Sequence, residues 1–269
     1  MHGRRCGRGF ACPSLSGRLE TRQWEAGGRW AGSPQGRPEA ERTVSRIVSY
    51  ETQTLENPNP IARFAHTQRY ARSVSLSSDL LPEGGAIVDF GAGTGHMLAT
   101  LHKRRPDVRL IAIEPFMPQL PDPAITYLSE LSRVRDVDLV TCFEVIEHLL
   151  GDEVERFLDD ARQAIRPEGR VVISVPIMQG PVLPLKVVSG AMLHRRRPEY
   201  SLGQLVRGTL GLSVPRVPDS RHSHRGFDFR ELRGKILKML DIEQEFYSPF
   251  TRLSWTVNSQ AFFVCAPKK

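Results

Sequence analysis

The sequence predicts a doubly wound α/β fold, and three observations carry that prediction. Between residues 86 and 176, short continuous apolar runs alternate with amphipathic helical stretches, the pattern of a parallel sheet covered on both faces. The first run, AIVDF, opens into glycines at alternate positions, Gly91, Gly93 and Gly95, just ahead of a helical segment. The second run ends on an acid, Glu114, about twenty residues beyond those glycines.

Each element has its own signal. In NPIARFAHTQRYARSVSLSSDLL, residues 59–81, Ile61, Phe64, Ala65, Tyr70 and Val74 fall near helical spacing, so a helix leads into the domain. Pro82 to Gly85 make a turn, and AIVDF is a short buried strand. GHMLATLHKRR is helical up to Pro106. Strands follow at 108–114, 124–128 and 137–143, then a helix over 152–165, a turn at RPEG and a strand over 170–176. FRELRGKILKML (229–240) is the last helix, and IEQEFYSPF and NSQAFFVCAP form two antiparallel strands at the sheet edge.

Composition bounds what this fold can serve. The chain has 269 residues, 40% of them hydrophobic, enough for a substantial core. Its longest mainly apolar stretch, GPVLPLKVVSGAML at 180–193, holds a lysine and two prolines and is too short to span a bilayer. Four scattered cysteines form no CxxC pair, and the N-terminus has no apolar core of a secretory signal, so a cytoplasmic location is expected.

The net charge of +7 is uneven along the chain. Residues 1–42 carry eight Arg against four Glu, and residues 186–225 carry eight Lys or Arg against two acids, so the remainder is mildly acidic. Local anionic contacts fit this better than a uniformly basic nucleic-acid grip. Residues 1–42 are rich in Gly, Arg and Pro without apolar periodicity, and are expected to be a disordered basic tail. The globular domain is expected to occupy 43–269.

In a doubly wound sheet the ligand crevice lies at the carboxyl ends of the strands, and the first strand-to-helix turn sits at the switch point. Gly91 and Gly93 let main-chain N–H groups approach a ligand there, and Gly95 lets the helix start close to the strand. The spacing is GxGxG, and an acid, Asp89, precedes it, which suits a cationic ligand better than a pyrophosphate. Glu114 can accept both hydroxyls of a ribose. S-adenosylmethionine meets the description of a ligand with a ribose, a cationic end and no phosphate.

Residues 59–176 resemble class I S-adenosylmethionine-dependent methyltransferases. The likeness rests on IVDFGAGTG, LIAIEP, VDLVTCFEVIEHL and AIRPEGRVVISVP, four motifs in the right order. It implies a seven-stranded, mostly parallel Rossmann-like sheet with an antiparallel C-terminal edge strand. It also implies that Asp89, Gly91, Ala92, Gly93 and Gly95 line the methionine end, Glu114 holds the ribose, and Cys142 and Phe143 border the cofactor.

Glu144, Glu147 and His148 stand at i, i+3 and i+4, so on a helical turn they point to one side, just beyond the fourth strand. Glu144 and His148 are the candidate catalytic residues on the acceptor side. Carboxylates and an imidazole converging there can bind a divalent metal and acidify a hydroxyl. EVIEH also resembles ubiquinone-pathway O-methyltransferases and the family that 2′-O-methylates the 3′ ends of small RNAs. In some of those relatives two Glu, the adjoining His and a later His hold a metal, which implies Glu144, Glu147, His148 and His224, the last preferred over His222. Many other relatives with ExxEH need no metal.

An insertion over 177–227 separates the fifth strand from the last helix and is expected to cover the acceptor site. Its apolar stretch runs into Arg195, Arg196 and Arg197, a combination suited to a membrane interface over 180–200, to a phosphate clamp, or to a lid helix with a solvated basic end. The functional expectation is a methyltransferase acting on an oxygen of a small-molecule or lipid-linked acceptor. An RNA 2′-O-methyltransferase and a non-catalytic binding protein are the alternatives.

Overall fold

The structure, a computed structural model, describes residues 60–114, 122–194, 199–217, 221 and 223–268. The N-terminal tail, the domain start at residue 43, Arg195–Arg197 and His222 therefore lie outside the described residues.

Helix α1 (Pro60–Leu80) leads into the domain, as the sequence predicts. Its buried face is Ser73, Val74 and Ser77, with Tyr70 half-buried; Phe64, expected on that face, is exposed. Strand β1 (Ala86–Phe90) then leads through the glycine turn into α2 (His96–Arg104). β2 (Arg109–Ile113), β3 (Ile125–Leu128) and β4 (Val137–Phe143) follow, then α3 (Gly151–Ala164) and β5 (Ile165–Pro176). The insertion carries α4 (Leu183–His194) and α5 (Leu202–Thr209), and α6 (Phe229–Met239), β6 (Leu240–Ser248) and β7 (Gln260–Pro267) complete the fold.

The seven strands form one sheet in the order β3-β2-β1-β4-β5-β7-β6. β1 to β5 are parallel, and β7 pairs antiparallel with both β5 and β6. β1 is flanked by β2 and β4, so the order reverses there, the switch point above whose carboxyl end a ligand crevice is expected. Alternate residues of the strands feed two cores. Val88, Val140 and Ile173 meet Phe157, Leu158 and Ile236 of α3 and α6 on one face; Ile87 and Leu139 meet Val74, Leu98 and Leu101 of α1 and α2 on the other.

The stretch RPEG is not a turn ahead of β5 but part of it. Val137 pairs with Ile165 and Leu139 with Arg170, so residues 166–169 bulge out of a continuous strand. Gly169 is required in this bulge, because a Cβ there would lie 3.0–3.1 Å from the carbonyl oxygens of Asp138, Arg166 and Val137.

Candidate active site

The three glycines adopt left-handed backbones, with φ of 75°, 56° and 83° at Gly91, Gly93 and Gly95. Two of them also have no room for a side chain. A Cβ on Gly91 would lie 2.4 Å from Val145 Cγ2, and one on Gly95 would lie 2.6 Å from the Tyr127 hydroxyl. The loop therefore packs tightly against the segment after β4 and against β3, an internal constraint separate from any ligand.

The N–H groups expected to face a ligand are partly used within the loop. Gly91 and Ala92 both donate to the Ile113 carbonyl, at 2.8 and 3.2 Å, and the Gly93 N–H donates to Glu114 Oε2 at 2.9 Å. Glu114 is buried at the end of β2, so this acid and the glycine loop meet, as the motif spacing requires.

Asp89 does not line an open surface. It pairs in register with Thr141 of β4, accepts that hydroxyl at 2.6 Å and is 5% exposed. Burial pushes its carboxyl up to about 7; the Thr141 hydrogen bond opposes the shift and nearby Glu114 adds to it. An unfolded aspartate ionises near pH 4 (~3.9), whereas folded Asp89 keeps its proton to about 7, so its contribution to stability is full below pH 4 and is lost as pH rises through 7. Asp89→Asn should therefore gain on wild type by roughly 2–3 kcal/mol between pH 5 and pH 8 in urea unfolding, and parallel pH dependences of the two proteins would refute this.

Cys142 is fully buried in β4, and burial raises its thiol well above its ordinary range, so its sulfur faces the core. Phe143 is half-buried and its ring lies 6.4 Å from that of Phe262.

Beyond β4 the helical turn expected to align Glu144, Glu147 and His148 does not form over all three. Glu144 has φ 57°, a left-handed backbone rare outside glycine, and only Ile146–His148 make a 3₁₀ turn. Strain of this kind concentrates at functional sites. The Glu144 carboxylate turns toward α1 and β5: Arg69 Nη1 donates to Oε2 at 2.7 Å and the Ser174 hydroxyl to Oε1 at 3.3 Å.

Glu144 thus leaves the expected metal set, while Glu147, His148 and His224 remain together with one ligand atom each within 4.8 Å of the others. Glu147 is fully buried, and neither carboxylate oxygen has a hydrogen-bond partner; burial and nearby Glu144 push its pKa well above the carboxylate range. His148 donates from Nδ1 to the Arg221 carbonyl at 2.6 Å, which assigns the lone pair to Nε2, 4.0 Å from Glu147 Oε1. His224 packs edge-on to His148 with ring centroids 4.8 Å apart, and burial with adjacent His148 lowers its pKa to about 4.

Three more residues at this site carry no motif. His66 and Arg69 come from α1; burial and Arg69 lower the His66 pKa to about 4. Lys186 comes from α4 and donates Nζ to the Ile177 carbonyl at 2.9 Å and the Ser259 carbonyl at 2.7 Å. Burial lowers its pKa to about 8, with Glu144 opposing. Only Lys186 had a sequence signal, a lysine inside an otherwise apolar helical stretch; His66 and Arg69 lie in a largely polar helix.

A family model described as a methyltransferase domain matches residues 61–245. The chain belongs to this methyltransferase family. With the fold above, that makes it an S-adenosylmethionine-dependent class I methyltransferase.

Among solved structures this methyltransferase is similar to the 1,6-didemethyltoxoflavin-N1-methyltransferase of Burkholderia thailandensis with bound 1,6-didemethyltoxoflavin and S-adenosylhomocysteine. The identity is 14%, 78% of this chain and 82% of that one are covered, and the TM-score is 0.51. It is also similar to a Pyrococcus horikoshii OT3 protein, at 12% identity, 81% and 96% coverage and a TM-score of 0.50. A TehB-like SAM-dependent methyltransferase from Corynebacterium glutamicum follows at 16% identity, 78% and 100% coverage and a TM-score of 0.41. Such identities speak for the fold alone. A search of curated protein sequences finds no match.

The residues at the crevice fit the donor. Glu114 presents a buried carboxylate beside the Gly93 amide, the acid a ribose needs, and buried Asp89 supplies latent negative charge beneath the loop.

Proposed function

We propose that this methyltransferase methylates an oxygen of a small-molecule or lipid-linked acceptor, with Glu114 and the 91–95 loop holding the donor and Glu144 and His148 serving the acceptor. The single observation that carries the oxygen acceptor is the His148 tautomer: its Nδ1 is committed to Arg221, so Nε2 is the basic nitrogen, with Glu147 beside it. Bound S-adenosylmethionine supplies an electrophilic methyl on a sulfonium.

The chain's own part is to position the acceptor and take its proton. Glu144, anchored by Arg69 and Ser174, orients the acceptor hydroxyl, and His148 Nε2 accepts the proton. The insertion, pinned by Lys186 to the ends of β5 and β7, keeps water from this space. The two described cysteines are unpaired and buried, which supports a cytoplasmic setting.

A second reading has its own observation. Glu147, His148 and His224 offer a carboxylate and two imidazoles, and the Glu147 oxygens lack hydrogen bonds, as a cation would require. In that reading His148 Nε2 holds a divalent metal rather than a proton, and the acceptor is an RNA 2′-hydroxyl. Homocysteine release from a panel of hydroxylated small molecules and 3′-terminal RNA separates the two. The first reading expects His148→Ala to cut turnover by about 10²- to 10⁴-fold with donor affinity unchanged and chelators without effect. Loss of activity on chelation, restored by Mn²⁺ or Mg²⁺ in wild type but not in His224→Ala, selects the second.

A further inference from the structure

The insertion and the β6–β7 connection concentrate the exposed apolar surface of this chain. Of the eleven large hydrophobic side chains that are exposed among the described residues, nine lie in these two segments. A monomeric soluble surface scatters such residues singly, so their gathering marks an interaction surface.

The placement follows from how the two insertion helices pack. On α5 the buried side is Gly208, whose Cβ position lies 2.5 Å from Leu183 of α4, leaving no room for a larger residue. Leu202, Val206 and Leu210, spaced four apart, lie away from that contact and are 79%, 52% and 72% exposed. On α4, Leu183 and Lys186 face inward, whereas Leu185 and Val188, three apart, face out.

The third part is the loop between β6 and β7. Trp255 there lies against Gly180 and Gly211, at either end of the two-helix unit, with a Cβ on Gly180 only 2.8 Å from the indole. Phe250, Leu253 and Val257 flank Trp255 in the same loop and are exposed.

Charge selects the occupant. Apart from Lys186, which faces inward, residues 186–225 carry seven basic residues against Glu199 and Asp219, and residues 249–259 carry Arg252 and no acid. An apolar surface on segments of net positive charge complements acyl chains beneath anionic head groups. A second copy of this chain would bring the same positive charge and be repelled. RNA stacks on exposed aromatic rings, whereas here the exposed residues are chiefly Leu and Val. No helix among the described residues is long and apolar enough to cross a membrane, so contact is peripheral.

We propose that α4, α5 and the β6–β7 connection dock this methyltransferase onto an anionic membrane surface. The site shifts from the 180–200 stretch, where the sequence placed it, to a surface built from three segments. Lys186 ties that surface to the ends of β5 and β7, so the acceptor opening is held next to the bilayer.

Co-sedimentation with phosphatidylglycerol-containing vesicles tests this independently of any acceptor. The full chain should bind these vesicles and not pure phosphatidylcholine ones, and Leu202→Asp, Val206→Asp and Leu210→Asp together should weaken binding by at least about tenfold. These side chains are exposed, so melting temperature and S-adenosylhomocysteine affinity should stay at wild-type values. If the triple variant misfolds, Phe250→Asp with Leu253→Asp reports from the other segment and should weaken binding likewise. No binding to anionic vesicles, or unchanged binding in the folded variants, overturns the proposal. So does a homodimer, or an RNA complex, that the same substitutions abolish.

Discussion

Glu114→Ala should weaken S-adenosylhomocysteine binding about 10- to 100-fold, because hydrogen bonds to a charged group contribute about 1.5–3 kcal/mol and every 1.4 kcal/mol is tenfold. Two losses combine. The acceptor of the ribose hydroxyls disappears, and the Gly93 N–H, now held at 2.9 Å, is left without its carboxylate. Glu114→Gln separates them: its amide oxygen still accepts from Gly93, so loop order is kept while the charge is gone. The glutamine variant should therefore fall between wild type and alanine in affinity and melt close to wild type. Titration calorimetry reads both, and an unchanged dissociation constant in Glu114→Ala would sink the ribose assignment.

Gly91→Ala should lower the melting temperature by about 5–15 °C. A left-handed backbone costs an L-residue about 1–2 kcal/mol and overpacking about 1–3 kcal/mol, and in a domain of this size each kcal/mol shifts melting by about 2–4 °C. The new methyl would meet Val145 at 2.4 and 2.7 Å. Adding Val145→Ala should relieve the overpacking and restore about half the loss, because the backbone cost at φ 75° remains. Gly84→Ala is the control: its φ is 66° but nothing lies within 4 Å of its Cβ position, so only the conformational cost applies. Melting of Gly91→Ala within about a degree of wild type would show that the loop yields instead.

The strands and helices were legible because each is specified locally. β4 matches its expected bounds, since a seven-residue run that is apolar or β-branched at all positions but Asp138 has few other uses between turns. RPEG misled because proline and glycine mark bulges as readily as turns, and only pairing with β4 distinguishes the two. The glycine motif announced the left-handed turn after β1, but not that Gly91 and Gly95 are also demanded by Val145 and Tyr127, residues 54 and 32 positions away in a chain that gives no hint of the contact.

At the acceptor side the sequence supplied chemistry without direction. Spacing placed Glu144, Glu147 and His148 on one helical face; a positive φ at Glu144 broke that face and sent its carboxylate to Arg69. The sheet with its switch point, the glycine loop and the acid at Glu114 follow from patterns that lie within a few neighbouring residues, because strand period and turn chemistry are local properties. Which carboxylate meets which cation, which histidines converge, and which apolar side chains are left outside depend on α1, β5 and the insertion arriving at the same place. Those are long-range contacts, set by how the layers pack, and no periodicity in the chain encodes them.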